Sequence, residues 1–205
     1  MLSATAALER LKQGNRCFMP GGNTGPTLQR YEADGTVPKQ EPFAIVLGCS
    51  DARVPLEMVF NQGLGDLFVI RVAGNIVAPS QIGSIEFAAS KFGTRLVVVM
   101  GHSHCGAVAA TLSEIQKPCG VVSPNLASIV DHIRPAVEPL VTDGTHLDPD
   151  TLQQEAMRAN VRASVAQLHS GSEVLENLVQ HDGLQIVGAE YSIESGCVTF
   201  LDEVN

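Results

Sequence analysis

Short aliphatic runs alternate along this chain with longer stretches in which apolar side chains recur at helical spacing. The runs at 44–47, 67–72, 96–100, 185–189 and 198–201 are of strand length and rich in Val, Ile and Leu; the first and third are closed by Gly48 and Gly101. Continuous apolar character, as opposed to strict alternation, is the mark of strands buried on both faces, which is how parallel strands read. Helical patterns lie between them at 55–61, 81–92 and 107–115 and again within 125–181, where 151–170 and 172–181 carry Leu, Val and Ala at mixed spacing. Strand alternating with helix predicts an α/β fold, a central mostly parallel β-sheet flanked by helices, with strand order left open by periodicity.

The N-terminal pattern differs. Ala4, Ala7, Leu8, Leu11 and Phe18 share one side of a helix over 4–19, with Glu9, Arg10 and Lys12 on the other, and Pro20-Gly21-Gly22 stops it. Residues 20–42 mix Gly, Pro, Asn and polar side chains without period, so they are expected to run as an extended arm over the surface or over a partner subunit. The chain thus divides into an N-terminal helix and arm, 1–42, and an α/β body, 43–205, within one domain overall.

Composition narrows the function classes. Twenty-two acidic against thirteen basic residues give a net charge of -9, which disfavours nucleic acid and polyanionic substrates. No run approaches the roughly 18 apolar residues of a membrane span, and the N-terminus lacks the basic and apolar regions of a secretory signal, so a soluble, cytoplasmic protein is expected. Five cysteines, an odd number, argue for reduced thiols and metal binding over a disulfide framework. Cys17, Cys119 and Cys197 have no partner at ligand spacing and read as small buried or loop thiols. Gly63-Leu64-Gly65 precedes a strand and lacks a third glycine, so it is not a dinucleotide-binding loop.

Candidate chemistry sits at the ends of two strands. Cys49-Ser50-Asp51-Ala52-Arg53 follows the first run, and His102-Ser103-His104-Cys105-Gly106 follows the third. The carboxyl ends of strands form the ligand crevice of open α/β sheets, so Cys49, His102 and Cys105 can converge there despite their separation. Two thiolates and an imidazole make a zinc ligand set, and three protein ligands leave a fourth position for water or substrate. Two Cys and one His can also be ordinary core residues. Asp51 and Arg53 weigh against that, because charged groups turned into a crevice need a partner.

With Cys49-x-Asp51-x-Arg53 and His102-x-x-Cys105 in this order, the chain resembles the β-class carbonic anhydrases of bacterial type. The likeness extends through 63–71 and 83–87 and covers about 4–201. It implies four parallel strands with a fifth at an edge, an opening helix and arm packed across a dimer neighbour, and a homodimer or homotetramer. It implies one Zn2+ per chain on Cys49, His102 and Cys105, with CO2 and bicarbonate as substrate and product. Asp51 is expected to orient the attacking water and Arg53 to hold Asp51; if that pair breaks, Asp51 is close enough to become the fourth ligand and close the site. Gln40, Phe68 and Phe87 occupy positions that line the CO2 pocket in an open subgroup, and Gly106 is placed with them. The bicarbonate-inhibited subgroup is matched by Arg71 and Tyr191, but its tryptophan aligns with Val46 and the chain has none, which favours the open site. His104 is expected to be a loop or interface histidine, and His132, His146, His169 and His181 solvated or helix-face residues. Two rivals keep the same ligands: hydrolysis of carbonyl sulfide or carbon disulfide, and a non-catalytic zinc scaffold permanently closed by Asp51.

Overall fold

A computed structural model describes residues 2–22, 39–118, 120, 123–143 and 147–201. All five expected strands form one sheet: β1 (Ala44–Gly48), β2 (Leu67–Arg71), β3 (Leu96–His102), β4 (Gln185–Tyr191) and β5 (Val198–Leu201), in the order β2-β1-β3-β4-β5. The first four run parallel; β5 is antiparallel on β4, with Tyr191 opposite Val198 and Gly188 opposite Leu201. β1 and β3 are buried along their whole length, whereas β2, with only one neighbour, is half-buried. This is why the first and third runs are the most continuously aliphatic in the sequence.

The period of two along each strand divides the core. Ala44, Val46, Val98 and Met100 point to the face covered by α1 (Ala4–Phe18) and α2 (Leu56–Val59), against Ala7, Leu11, Leu56 and Phe60. Ile45, Leu47, Val97 and Val99 point the other way, onto α3 (Pro79–Lys91) and α6 (Pro149–Ser170). Two further helices, α4 (Gly106–Gln116) and α5 (Pro124–Thr142), close a third cluster over the carboxyl ends of the strands, and Cys49 and Cys105 belong to it. α7 (Glu173–His181) packs on the α3 side through Leu175. The sheet reaches α6 closely at β3: a Cβ on Gly101 would stand 2.6 Å from Met157 Sδ and 2.7 Å from Val161 Cγ2. Only glycine allows that approach, and it sets the depth of the neighbouring His102.

Helix ends depart from the periodicity in understandable places. The 81–92 pattern starts two residues earlier, at Pro79, because proline at a first helical position has no amide hydrogen to lose. The 55–61 pattern yields only Leu56–Val59, cut off before Asn61, whose φ is 48°. α5 stays helical through Pro135 and Pro139.

Helix α1 docks on its own chain's sheet. Asn15, 3% exposed, donates through Nδ2 to Val59 O (3.1 Å) and Gly196 O (2.9 Å) and accepts through Oδ1 from Val198 N (2.8 Å). Arg10 pairs with Asp66 at 2.9 Å and lies over the Phe43 ring. The expected packing on a partner concerns a second chain, and most of the arm, 23–38, lies outside the described residues, as do Cys119 and His146. His132, His169 and His181 are exposed on helices. Among the described residues no helix is long and apolar enough to cross a membrane.

Candidate functional site

In the strand order, β1 and β3 are neighbours whose connections leave in opposite directions, to β2 on one side and β4 on the other. That is the switch point of an open α/β sheet, where the carboxyl ends leave a crevice. Cys49 follows β1 directly, His102 is the last residue of β3, and Cys105 is the N-cap of α4. Their ligating atoms lie within 4.8 Å of one another, all three residues buried.

The imidazole is oriented for a metal. His102 Nδ1 lies 2.8 Å from Ser103 O, to which it donates, and this leaves Nε2 as a bare lone pair. That Nε2 is fully buried and finds no hydrogen-bond partner among the described residues. A buried acceptor left so is costly unless something binds it, and a cation drawn between it and the two sulfurs removes the cost. The thiols point to the same conclusion. Cys105 hydrogen-bonds to Cys49 and lowers its pKa, helped by His102 and by the Gly74 N–H at 3.4 Å, while burial opposes the shift. The same contact and burial push the Cys105 thiol up. Two thiols this close keep one proton between them, and a divalent cation is the partner that releases it. Gly74 can deliver its N–H because its φ is 68° and it has no Cβ, which would stand 2.7 Å from Ile133 Cδ1. The buried Asn160 holds the same turn through Gly74 O at 2.8 Å.

Asp51 and Arg53 stand beside the cluster. Arg53 forks onto the carboxylate, Nε to Oδ1 at 3.0 Å and Nη2 to Oδ2 at 2.8 Å, and its backbone N–H adds a third bond to Oδ1 at 2.9 Å. The guanidinium therefore holds the Asp51 carboxyl well below the usual carboxylate range. Asp51 Oδ2 lies 3.9 Å from His102 Nε2. Arg71 fixes the loop from behind, donating to Cys49 O at 3.0 Å and to Asp51 O at 2.6 Å.

The residues assigned to a substrate pocket are spread out. Gly106 borders an apolar groove with Ala73, Ala107, Ala110, Ile129 and Val130, next to the Gly74 turn. Phe68 is on β2 opposite Ile45, four residues before Cys49, a separation of about 13 Å along the strand. Its neighbours are Phe87 and Phe92, at ring separations of 6.3 and 6.2 Å, and Phe87 is 53% exposed. Gln40 is exposed and lines a groove with Phe43 and Phe92. Within one chain these three do not reach the cysteines. Residues that sequence reasoning missed are Ser103 and Glu194: Ser103 Oγ donates to Glu194 at 2.8 Å, and the same carboxylate accepts from His104 Nε2. No spacing signal links positions so far apart in a loop and a strand turn.

Comparison with known proteins agrees with this geometry. Residues 44–198 match the carbonic anhydrase family. The chain is 34% identical over 202 residues to "Carbonic anhydrase 2" of Mycobacterium tuberculosis, covering 97% of this chain and 93% of that one. It is 35% identical over 196 residues to a carbonic anhydrase of Mycolicibacterium smegmatis, covering 94% and 91%. Among solved structures, a β-carbonic anhydrase of Aspergillus fumigatus superposes with a TM-score of 0.72 at 29% identity, over 80% of this chain and 76% of that one. With the metal-ligand geometry, the sheet order and near-full-length relatives in agreement, this chain belongs to the β-class carbonic anhydrase family.

Proposed function

We propose that this chain catalyses the reversible hydration of CO2 to bicarbonate and a proton, with zinc held by Cys49, His102 and Cys105. The observation that carries the reading is the buried, unpartnered His102 Nε2 set between two cysteines, with the Arg53-bound carboxylate of Asp51 beside it. When bound, zinc supplies the Lewis acidity that brings the pKa of a water toward neutrality. Asp51 accepts a hydrogen bond from the attacking water and aims a lone pair at the carbon of CO2. Arg53 keeps Asp51 ionised and holds its carboxylate on the guanidinium, beside the ligand position but not in it, so the site stays open. CO2, neutral and without a dipole, suits the apolar groove bordered by Gly106 and Ala73.

The remaining expectations follow from this reading. Gln40, Phe68 and Phe87 stand at the β2 edge of the sheet, remote from their own cysteines, and serve the site of a neighbouring subunit in a homodimer or homotetramer. The division into an N-terminal segment, 1–42, that packs on that neighbour in addition to the docking of α1 on its own sheet, and a catalytic body, 43–205, belongs to the same reading. Two thiol ligands need a reducing compartment, in keeping with the cytoplasm.

Stopped-flow CO2 hydration from about pH 6.5 to 9, on protein whose zinc is counted in the same sample, tests the reading. Activity that rises with pH at one zinc per chain is expected. Full zinc with no activity at any pH refutes it, and faster sulfide release from carbonyl sulfide moves the substrate to that molecule.

A further inference from the structure

We propose that Glu194, in the turn between β4 and β5, is a positioning residue that holds His104 and thereby the carbonyl on which Arg53 rests. Asp51 and Arg53 belong to one short loop, so their mutual bonds do not by themselves fix the pair relative to His102 and Cys105. The described bond from the Arg53 guanidinium to the β3–α4 turn is Nη2 to His104 O, at 3.4 Å. That carbonyl faces Arg53 because His104 adopts φ 54°, a left-handed conformation unfavourable for a non-glycine residue. Something must hold it there.

The β4–β5 turn supplies the hold. His104 Nε2 donates to Glu194 Oε1, while Glu194 Oε2 accepts from Ser103 Oγ at 2.8 Å and Ser192 Oγ at 2.9 Å. Ile193 N donates to Ser103 Oγ at 3.0 Å, and Ser103 N to Tyr191 O at 2.9 Å. The turn that carries two ligands, His102 and Cys105, is therefore stapled at both intervening residues to 191–194. His104 and Glu194 have side chains 62% and 55% exposed, so both can be exchanged without opening the core. Without Glu194, His104 relaxes out of the left-handed region, its carbonyl leaves Arg53, and Asp51 is released toward the ligand position.

The activity arm of the test rests on the hydration reading; the spectroscopic arm does not. Glu194→Ala, Glu194→Gln, His104→Gly and the double variant His104→Gly with Glu194→Ala are compared with Arg53→Ala, each with its metal content measured. Glu194→Ala is expected to keep one zinc per chain and lose about tenfold in kcat/KM near pH 7, the scale of one charge-assisted hydrogen bond. The loss should shrink as pH rises, and the visible spectrum of the cobalt-substituted protein should move in the same direction as that of Arg53→Ala. Glu194→Gln keeps an acceptor for the serines but presents an amide N–H2 to His104, which it can hold only by donating to Nε2 in the other imidazole tautomer, so it should restore both only in part. In the His104→Gly background, where glycine takes the left-handed conformation freely, Glu194→Ala should add nothing. A Glu194→Ala protein with the wild-type pH profile and cobalt spectrum overturns the proposal, as does a loss of full size in the His104→Gly background. Wild-type protein inactive with full zinc refutes the hydration reading alone, and the cobalt spectra still decide the role of Glu194.

Discussion

Asp51 Oδ2 stands 3.9 Å from His102 Nε2, and of the two carboxylate oxygens it is the one with accepting capacity left. Oδ1 takes two N–H groups from Arg53, Oδ2 only the Nη2 donor. The less occupied oxygen thus faces the ligand cluster. A carboxylate so placed has two arrangements open to it, one on the guanidinium and one on a metal, and Arg53 decides between them.

Arg53→Ala separates these arrangements. The substitution leaves Cys49, His102 and Cys105 untouched, so zinc content should stay at one per chain. Freed Asp51 then competes with water for the fourth position, and CO2 hydration near pH 7 should fall by about 100-fold or more, the scale of losing a bidentate charged contact that orients a reacting group. Metal analysis and stopped-flow kinetics on one sample check this; full zinc with undiminished activity would show that Arg53 does not govern the site.

The pH dependence of stability has a definite sign at Asp51. Its folded-state pKa is depressed by the Arg53 hydrogen bonds, so it stabilises the fold above the unfolded carboxyl value of about 3.9, and this contribution is lost as pH falls toward the folded pKa. In metal-free protein, urea midpoints of wild type and Asp51→Asn should differ at pH 7 and draw together below about pH 4. A gap that widens on acidification would reverse the assignment.

The strands and the ligand trio were legible in the sequence because both rest on local pattern. Val97 to Met100 read as a buried strand since β3 is covered on both faces, and Cys49 and His102 read as neighbours since each ends such a strand. What pattern could not supply was anything set by loop geometry. The Glu194 contact to His104 joins a strand turn to a β3–α4 turn across ninety residues, and neither turn has a periodicity to read. Asn15 was equally silent: it lies among apolar helix positions in sequence, and only the fold shows that its amide bridges α2 and the β4–β5 turn. The distance of Phe68 from Cys49 follows from strand register, which a run of Phe, Val and Ile at 68–70 does not encode, and Phe87 on α3 packs against Phe68 at that remove.

Thiol chemistry should report the metal directly. In the metal-free protein Cys49 is the thiol whose pKa is lowered, by the Cys105 hydrogen bond first and by His102 and backbone N–H groups after it. Its reaction with a disulfide reagent should therefore be nearly flat from about pH 6 to 8, where a thiol of pKa about 8.5 gains close to tenfold per unit. Zinc should suppress the reaction, and Cys49→Ser should abolish both the flat phase and tight zinc binding. A pH-flat phase that survives Cys49→Ser would place the thiolate elsewhere, whereas a steeply pH-dependent one from the other free thiols, Cys17 and Cys197 among them, leaves the assignment standing.

Asn15→Ala tests whether α1 is anchored to its own chain as the hydrogen bonds indicate. The substitution removes three bonds and strands Val59 O, Gly196 O and Val198 N, the first two near a residue only 3% exposed. Unsatisfied buried backbone groups cost about 1 to 3 kcal/mol each, partly recovered where water enters, so a loss of about 2 to 4 kcal/mol is expected. Urea unfolding should show a lower midpoint at unchanged slope. The contact reaches the β4–β5 turn through Gly196 and Val198, but Asn15 makes no bond to Cys49, His102 or Cys105, so folded Asn15→Ala should still take up one zinc per chain. A midpoint equal to wild type would mean that α1 contributes little to its own chain and that its docking energy comes from a second one.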